Sequence, residues 1–200
     1  LEPRAVQVSL DIACDVDSPL LGEHGAARLF GPQKGATPGD VERLEAGLAH
    51  FASVIARDCS RDITAVAAGG AAGGIAAGLY GLLGARLLPG IDLVLDLLDF
   101  EQALSGAQLC LTGEGLLDRQ SLRNKGPIGV ARRARARGVP TIALVGGIAQ
   151  GVTAADFPEL SGVRSIRPPL MPLEQAMREA AALLEETAEN VVRAFHAALH

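Results

Sequence analysis

The second half of this chain alternates short apolar segments with helical segments, and that rhythm constrains the fold more than any other feature of the sequence. The helical segment 127–137 begins with a proline and is followed by Gly138, which are common start and stop signals of a helix. Strands that alternate with helices form parallel sheets with right-handed crossovers. The sequence therefore predicts an α/β fold whose parallel sheet has strands at 108–112, 139–145 and 163–166.

The first half carries local signals of the same fold class. Apolar and polar residues alternate over 6–12, which is the period of a half-buried strand. Thr37 as N-cap, Pro38 at the first helical position and Asp40 at the third predict the start of a long helix.

The middle and the end of the chain are predicted from hydrophobic runs. Segment 91–98 is strand-like apart from two aspartates, and Asp99 is placed to cap a short helix that ends at Leu104. Apolar residues at helical spacing predict one long amphipathic helix over 173–199. We place a domain boundary near residue 100.

Composition narrows the class of protein. Aromatic residues make up 3% of the chain and glycine occurs 24 times, so we expect a core of Ala, Val, Leu and Ile in which helices pack closely on a sheet. A net charge of −5 argues against a nucleic-acid partner, because binding to the phosphate backbone needs a basic surface. The three widely spaced cysteines suit neither a disulfide framework nor a zinc site and favour the reducing cytoplasm.

The uncharged segment 65–85 has to be tested as a membrane span, because its glycines include a GxxxG spacing. It consists mostly of Ala and Gly, which contribute little to membrane insertion. We therefore predict a glycine-rich loop that leads into a buried helix, and no membrane association.

Lysine is rare in this sequence and occurs only in turns. Two of the 18 basic residues are lysines, Lys34 and Lys125, and both lie among glycines and prolines. An ammonium on a flexible stem suits a phosphate that moves during a reaction better than a rigid guanidinium does. Chance and the tolerance of loops are the alternative explanation. The arginines of 132–137 are predicted to be the solvated last turn of a helix.

The first candidate site directly follows the predicted strand 108–112. Gly113 and Gly115 allow backbone amides to approach an anion, and Glu114 and Asp118 are candidates to hold Mg²⁺ or a substrate hydroxyl. A glycine turn followed by an acid at a helix start is the alternative. Neither a P-loop nor a dinucleotide-binding fingerprint fits the spacing.

A second candidate site is a glycine-rich segment. Peptide amides at a glycine-rich helix start form an anion site, although tight helix packing explains the same glycines without a ligand. The residues concerned are Gly69, Gly70, Gly73 and Gly74.

The third candidate combines Asp15 and Asp17 with Lys34 on the neighbouring loop. Two acids at positions i and i+2 after a strand can both reach a metal ion only if the chain turns there, which the following Ser18-Pro19 permits. A simple Asx turn is the alternative.

Five segments form a set whose order and spacing are more specific than any one of them. They are 12–20, 30–38, 69–74, 89–92 and 111–125, and they include Cys-Asp-Val-Asp-Ser-Pro at 14–19, Gly-Pro-Gln-Lys-Gly at 31–35 and Thr-Gly-Glu-Gly at 112–115. Together they resemble the bacterial glycerate kinase family over essentially the whole chain.

The resemblance implies a fold and an activity. Family members have two α/β domains and phosphorylate D-glycerate with ATP and Mg²⁺ in the cleft between them, commonly giving 2-phosphoglycerate. This chain would be the C-terminal half of such an enzyme. Residues 1–98 would be part of the second, inserted α/β domain, and 99–200 the C-terminal part of the Rossmann-like domain. The missing N-terminal half is then an expected partner, and a homodimer is left open.

The resemblance also implies roles for the candidate residues. Lys34, Lys125 and Asp118 would be catalytic, the glycines of both loops and Glu114 would bind substrate or phosphate, and Asp15 and Asp17 would hold the metal ion. Two departures from the family pattern lie in the segment that follows the predicted strand 108–112. Leu116 stands where the family usually has Arg, and Asn124-Lys125-Gly126-Pro127 replaces the usual Gly-Lys-Ala-Pro.

The sequence leaves two competing functions open. A truncated or degenerate family member that folds, alone or as a dimer, without turnover would explain Leu116 and the missing half. A nicotinamide-dependent oxidoreductase on the same α/β architecture is the other alternative.

Overall fold

The computed structural model describes residues 2–118, 121 and 126–198. Contacts between Cα atoms divide the chain into two compact units, Leu1–Val94 and Leu95–His200. Each unit has its own parallel sheet, with two strands in the first and three in the second among the described residues. The predicted α/β class with parallel sheets is therefore confirmed.

The first unit alternates short strands with helices. Strands β1 and β2 pair in parallel, with Asp11 opposite Arg86 and Cys14 opposite Pro89. The elements in chain order are a 3-10 turn Ala5–Gln7, β1 Asp11–Cys14, α1 Ala26–Phe30, a 3-10 turn Pro32–Lys34, α2 Pro38–Cys59, a 3-10 turn Ala71–Gly74, α3 Ile75–Leu83, β2 Arg86–Pro89 and α4 Gly90–Leu97, which crosses the boundary.

Helix α2 begins where the sequence predicts. The Thr37 hydroxyl oxygen accepts a hydrogen bond from the Asp40 N–H at 3.2 Å, and the Asp40 carboxylate accepts one from the Thr37 N–H at 3.0 Å. These contacts form a capping box, with Pro38 at the first helical position. Hydrogen bonds from the Thr37 hydroxyl and N–H hold the pKa of Asp40 below its ordinary value.

The core of the first unit lies between α2 and α3. It is a cluster of buried aliphatic residues: Leu20, Ala52, Ile55, Ile63 and Ala77. A Cβ atom on Gly81 of α3 would lie 2.7 Å from the side chain of Ile55. The close approach of the two helices therefore depends on a residue without a side chain, as the glycine-rich, aromatic-poor composition suggests.

Two predictions in the first unit are wrong. The strand predicted over 6–12 is confined to Asp11–Cys14, because its partner β2 is only four residues long and pairs with those four residues. The strand-like run 91–98 is helix α4. Its aspartates, Asp92 and Asp96, are four residues apart, so they lie on one face of a helix.

The second unit is a three-stranded parallel sheet of order β3-β4-β5 with helices on both faces. Ala143 and Val163 pack with Ile128 of α6 on one face, and Ile142 and Arg164 lie opposite α8 on the other. The elements are α5 Phe100–Ala103, β3 Cys110–Glu114, α6 Gly126–Ala136, β4 Thr141–Val145, a 3-10 turn Ala154–Asp156, β5 Gly162–Ser165, α7 Leu173–Arg178 and α8 Ala180–Ala198.

Strand and helix positions in the second unit match the sequence to within about two residues, with three differences. The predicted helix over 173–199 is divided into α7 and α8 at Glu179. Asp99 precedes α5 but makes no side-chain cap, since its backbone is left-handed with φ 48°. Arg133 is not part of a solvated helix end: its side chain is 17% exposed and is paired with Asp96 and Glu101.

No helix within the described residues is both long enough and apolar enough to cross a membrane. Segment 65–85 instead contains the turn Ala71–Gly74 and the buried helix α3, as predicted.

Candidate functional site

A cavity of about 300 Å³ lies in the first unit between α1, α2 and the glycine-rich turn. Its polar side chains are Asp15, Gln33 and Lys34, and its apolar walls include Phe30, Leu44 and Leu48. The backbone of Ala71–Gly73 closes one side. The structure thus brings together the second and third candidate sites of the sequence in one cavity, through Asp15, Lys34 and Gly73.

Backbone hydrogen bonds fix the glycine-rich segment to the loop after β1. The N–H of Ala68 donates to the carbonyl of Asp17 at 3.2 Å, and the N–H of Gly70 donates to the carbonyl of Ser18 at 2.8 Å. A Cβ atom on Gly70 would lie 2.5 Å from the carbonyl oxygen of Pro19. The two loops can approach this closely only because position 70 is glycine.

The glycine-rich segment has an unusual backbone conformation. Ala68 and Ala72 have φ values of 64° and 52°, in the left-handed region that side chains with a Cβ rarely adopt. Gly73 and Gly74 continue the left-handed path with φ values of 71° and 102°. Backbone strain of this kind is concentrated at ligand-binding segments, so it is consistent with a binding role for the turn.

Lys34 is positioned by its own short turn. Its N–H donates to the carbonyl of Gly31 at 2.9 Å, and Gly35 closes the turn with φ 89°. A Cβ atom on Gly31 would lie 2.4 Å from the carbonyl oxygen of Ala27, so the turn packs tightly on α1. The Lys34 side chain is exposed at the cavity, where its ammonium can pair with an anion.

The other predicted residues of the first unit lie beside the cavity. Gly69, Gly70 and Gly74 shape the segment, whereas Asp17 contributes its carbonyl to the backbone hydrogen bond with Ala68. Sequence reasoning missed Ser18, which is 3% exposed and whose Oγ has no hydrogen-bond partner among the described residues. In the sequence, the only indication of Ser18 was its position directly after Asp17 and before Pro19.

A separate cluster of carboxylates lies in the second unit at the carboxyl end of β3. Ser121 is fully buried, and its hydroxyl donates to the carboxylate of Glu114 at 2.8 Å. The Ser121 N–H donates to the carboxylate of Asp118 at 3.0 Å, and the Asp118 N–H donates back to the Ser121 hydroxyl oxygen at 3.1 Å. Ser121 therefore holds both predicted acids in place, a role that the sequence did not indicate.

Glycines allow the loop after β3 to pass close to β4. A Cβ atom on Gly113 would lie 2.9 Å from the carbonyl oxygen of Leu144, and one on Gly146 would lie 2.5 Å from that of Gly115. Gly115 itself has open space around its Cα. Leu116 is 51% exposed.

Lys125 lies outside the described residues, so its catalytic role stays a prediction. The assignment of Asp15 and Asp17 to a metal ion also stays a prediction. Within residues 2–118, 121 and 126–198, no group of three or more His, Cys, Asp or Glu side chains is arranged to hold a metal ion.

Comparisons with known proteins agree on one family. The sequence model described as "Glycerate kinase family" matches residues 1–196. The glycerate kinase of Halalkalibacterium halodurans is 42% identical over 191 residues, which are 96% of this chain and 50% of that protein. The glycerate 2-kinase of Escherichia coli K12 is 37% identical over 90% of this chain and 47% of its own length.

A solved structure shows the same fold. The crystal structure of a "putative glycerate kinase 2" from Salmonella typhimurium LT2 superposes with a TM-score of 0.76 and 41% sequence identity, covering 100% of this chain and 51% of that one. The chain therefore spans about half the length of the relatives that it matches.

Proposed function

Because this chain belongs to the glycerate kinase family, we propose that it carries part of the active site of an enzyme that transfers the γ-phosphoryl group of ATP to D-glycerate. The E. coli relative is named glycerate 2-kinase, which supports 2-phosphoglycerate as the product. The proposed enzyme is about twice as long as this chain. We expect the 200 residues of this chain to be inactive on their own.

The observation that carries the proposal is the shared cavity of Asp15, Lys34 and the glycine-rich turn. Phosphoryl transfer needs positioning and charge neutralisation more than covalent chemistry. A carboxylate, an ammonium and a strained glycine-rich backbone around one cavity supply the groups that this reaction requires. A nicotinamide-dependent oxidoreductase has no comparable support, since no dinucleotide fingerprint is present in the sequence.

In the proposed reaction a hydroxyl oxygen of D-glycerate forms a bond to the γ-phosphorus of ATP. The bond from that phosphorus to the bridging oxygen breaks, and ADP leaves with the electron pair. The ammonium of Lys34 pairs with the transferring phosphate or with the carboxylate of glycerate. A carboxylate orients the hydroxyl and accepts its proton, and the candidates for this role are Asp15, Asp17, Glu114 and Asp118.

Mg²⁺, when bound, neutralises phosphate charge. It is usually held by one or two carboxylates together with substrate phosphates, not by an all-protein cage. Asp15 and Asp17, two residues apart on the loop after β1, fit such a limited ligand set. Lys125 is proposed as the second phosphate-pairing ammonium on sequence grounds alone.

The alternative is a non-catalytic, degenerate family member that acts only as a folded or dimerising module. The exposed Leu116 at the position of a family Arg favours this alternative. With leucine at position 116, the chain lacks one cation that would otherwise be available to a phosphate near Glu114 and Gly115.

A coupled assay of ADP release with D-glycerate and Mg-ATP separates the two functions. The 200-residue chain is measured alone and after addition of the half of the H. halodurans glycerate kinase that the match does not cover. Activity that depends on both halves and on D-glycerate supports the kinase. Activity that is absent from a fully assembled pair, with both halves shown to bind, supports the non-catalytic module.

A further inference from the structure

Another cavity lies in the second unit, between helix α8 and the strands β4 and β5. Its volume is about 430 Å³, which is within the range of about 300–1,000 Å³ that small-molecule sites occupy. Its lining residues belong neither to the cavity around Lys34 nor to the carboxylates that Ser121 holds. The cavity therefore has no part in the proposed phosphoryl transfer.

Small residues on the sheet and on the helix help to keep this cavity open. Gly162 of β5 lies opposite Ile142 of β4, which lines the cavity together with Ala194 of α8. The nearest neighbours of a Cβ atom on Gly162 would be the side chains of Ile142 and Arg164, at 3.7 and 4.0 Å. These are ordinary van der Waals distances, so the sheet has room for a side chain that glycine does not fill.

The floor of the cavity is apolar. Helix α8 presents Thr187, Asn190, Val191 and Phe195 to the cavity, at the spacing of one helix face. Val191 is buried, and Phe195 and Ile142 are half-buried. A ligand with an apolar body would remove more of this floor from water, which favours its binding.

Two exposed groups at the mouth of the cavity have hydrogen-bond donors to spare. The Arg164 side chain extends over Gly162, and its Nη1 donates to the carbonyl of Val163 at 2.9 Å. This bond fixes the guanidinium but leaves the N–H groups of its other nitrogens. Within the described part of the chain Arg164 forms no ion pair, and the Asn190 amide has no hydrogen-bond partner.

The other polar groups of the lining are already engaged. The Ser165 hydroxyl donates to the carbonyl of Arg167 at 3.1 Å, and the Thr187 hydroxyl donates to the carbonyl of Leu183 at 2.7 Å. No carboxylate is among the described residues that line the cavity. The lining therefore carries a single positive charge, that of Arg164, and suits a monoanion. A guanidinium matches a carboxylate with two parallel hydrogen bonds, whereas a phosphate monoester carries nearly two negative charges.

We propose that this cavity is a binding site for a small monocarboxylate with an apolar body. The carboxylate pairs with the guanidinium of Arg164 and accepts a hydrogen bond from the amide of Asn190. The apolar body lies on Ile142, Val191 and Phe195. Such a ligand contacts both α8 and the sheet, so it stabilises the folded second unit by mass action.

The test measures binding, so it does not depend on kinase activity. Benzoate is the probe, because its carboxylate is its only charge and its ring is apolar. Benzyl alcohol, which lacks the charge, and inorganic phosphate, which lacks the apolar body, are the comparison ligands. Each is titrated into this chain at constant ionic strength, and NMR follows the backbone amide signals of Ser165 and Asn190.

Three variants test the assigned contacts. Arg164→Gln removes the cation, and Gly162→Val fills the space beside Ile142. Arg193→Gln is the matched control, because Arg193 lies on α8 outside the lining and its guanidinium already bonds to Glu189 at 2.6 Å. Circular dichroism verifies that each variant folds. If Gly162→Val does not fold, Arg164→Gln and the comparison with benzyl alcohol decide the question.

We expect benzoate to bind with a dissociation constant of about 1 mM, and benzyl alcohol and phosphate to bind roughly tenfold more weakly. Arg164→Gln should weaken benzoate binding by roughly tenfold. Gly162→Val should abolish it, and Arg193→Gln should leave it unchanged.

The proposal is overturned if benzoate gives no saturable shifts, if benzyl alcohol or phosphate binds as tightly as benzoate, or if Arg164→Gln has no effect. Loss of binding on addition of the half of the H. halodurans glycerate kinase that the match does not cover would assign the cavity to an interface, and would also overturn it.

Discussion

The two candidate clusters of this chain are built in different ways. In the first unit the cavity around Asp15 and Lys34 is formed by backbone segments that approach each other closely, and glycine makes that approach possible. In the second unit the carboxylates of Glu114 and Asp118 are held by hydrogen bonds from one buried side chain, Ser121. The first cluster should therefore be sensitive to added atoms, and the second to a removed hydroxyl.

The difference between the two clusters also predicts which substitutions should affect ligand binding and which should lower the free energy of unfolding. Lys34 is exposed, so its replacement should affect a bound anion without affecting the fold. Gly70 and Ser121 touch buried backbone or side-chain groups, so their replacement should lower the free energy of unfolding before it affects any ligand.

The largest effect is expected for Lys34→Ala. In the assembled enzyme, loss of one charge-stabilising group should lower turnover by about 100- to 1000-fold. The measurement is the rate of ADP release with D-glycerate and Mg-ATP at saturating substrate. Arg43→Ala is the control, because Arg43 is a cation of the same unit whose carboxylate contact is to Asp40 of its own helix.

The melting temperature should stay the same in both variants, since neither side chain is buried. Near-normal turnover of Lys34→Ala would remove Lys34 from the proposed site. An equal loss in Arg43→Ala would indicate a general electrostatic effect of the first unit.

Gly70→Ala tests the backbone-built cluster. Its Cβ would lie 2.5 Å from the Pro19 carbonyl oxygen and 2.8 Å from the Ser18 hydroxyl oxygen, so the two loops must separate. We expect a loss of about 2–3 kcal/mol in the free energy of unfolding, as for other overpacked sites. Urea denaturation of this chain provides the measurement.

Gly35→Ala is the matched control in the same unit. Gly70 has an ordinary φ of −74°, whereas Gly35 has a positive φ of 89°, but nothing lies within 4 Å of a Cβ placed at Gly35. Gly35→Ala should therefore lower the free energy of unfolding only by the cost of a Cβ at a positive φ, which is about 1 kcal/mol. Equal losses in the two variants would show that the close contact of Gly70 contributes little.

Ser121→Ala tests the cluster built from side chains. It removes the hydroxyl that donates to Glu114 and accepts from the Asp118 N–H, leaving these groups without that partner. We expect a loss of about 1–3 kcal/mol, the range for unsatisfied buried polar groups. Ser165→Ala is the control, because among the described residues the Ser165 hydroxyl bonds to the exposed backbone of Arg167. A Ser121→Ala protein as stable as the control would mean that water replaces the hydroxyl without loss.

The sequence predicted the parts of the fold that depend on local signals. The capping box of Thr37 and Asp40 and the proline and glycine around α6 act within a few residues, so the helices begin and end near the expected positions. The run 91–98 was misassigned because a short apolar segment fits a strand and a buried helix equally well. Only the spacing of Asp92 and Asp96 indicated the helix.

The candidate site could be predicted only in part, for the same reason. Asp15, Lys34 and Gly73 were identified as separate candidates, but their meeting in one cavity depends on how α1 and α2 pack. Ser121 was missed because its importance comes from burial and from two acids that reach it, and neither is visible in a local pattern. Long-range packing, not residue type, therefore determines which residues meet in the cavity and why Ser121 is important.

The smallest effect is expected for an ion pair of the second unit. A hydrogen bond from the Arg133 guanidinium, at 2.5 Å from the Glu101 carboxylate, holds the pKa of Glu101 below its ordinary value of 4.5. A lowered pKa means that the pair stabilises the folded chain above pH 4.5 and that this contribution is lost as the pH falls through the lowered pKa. Glu101→Gln should therefore lower the melting temperature slightly at pH 7, and this difference should shrink as the pH falls below 4.5.

The matching pair of the first unit is Arg28 with Glu42, whose pKa is also lowered by hydrogen bonds from its partner. Its side chains are 37% and 64% exposed, compared with 17% and 30% for Arg133 and Glu101. Solvent screens the more exposed pair more strongly, so Glu42→Gln should shift the melting temperature less at pH 7. A larger shift in Glu42→Gln, or a difference for Glu101→Gln that does not shrink as the pH falls below 4.5, would contradict the assignment of this stability to the partly buried pair around Arg133.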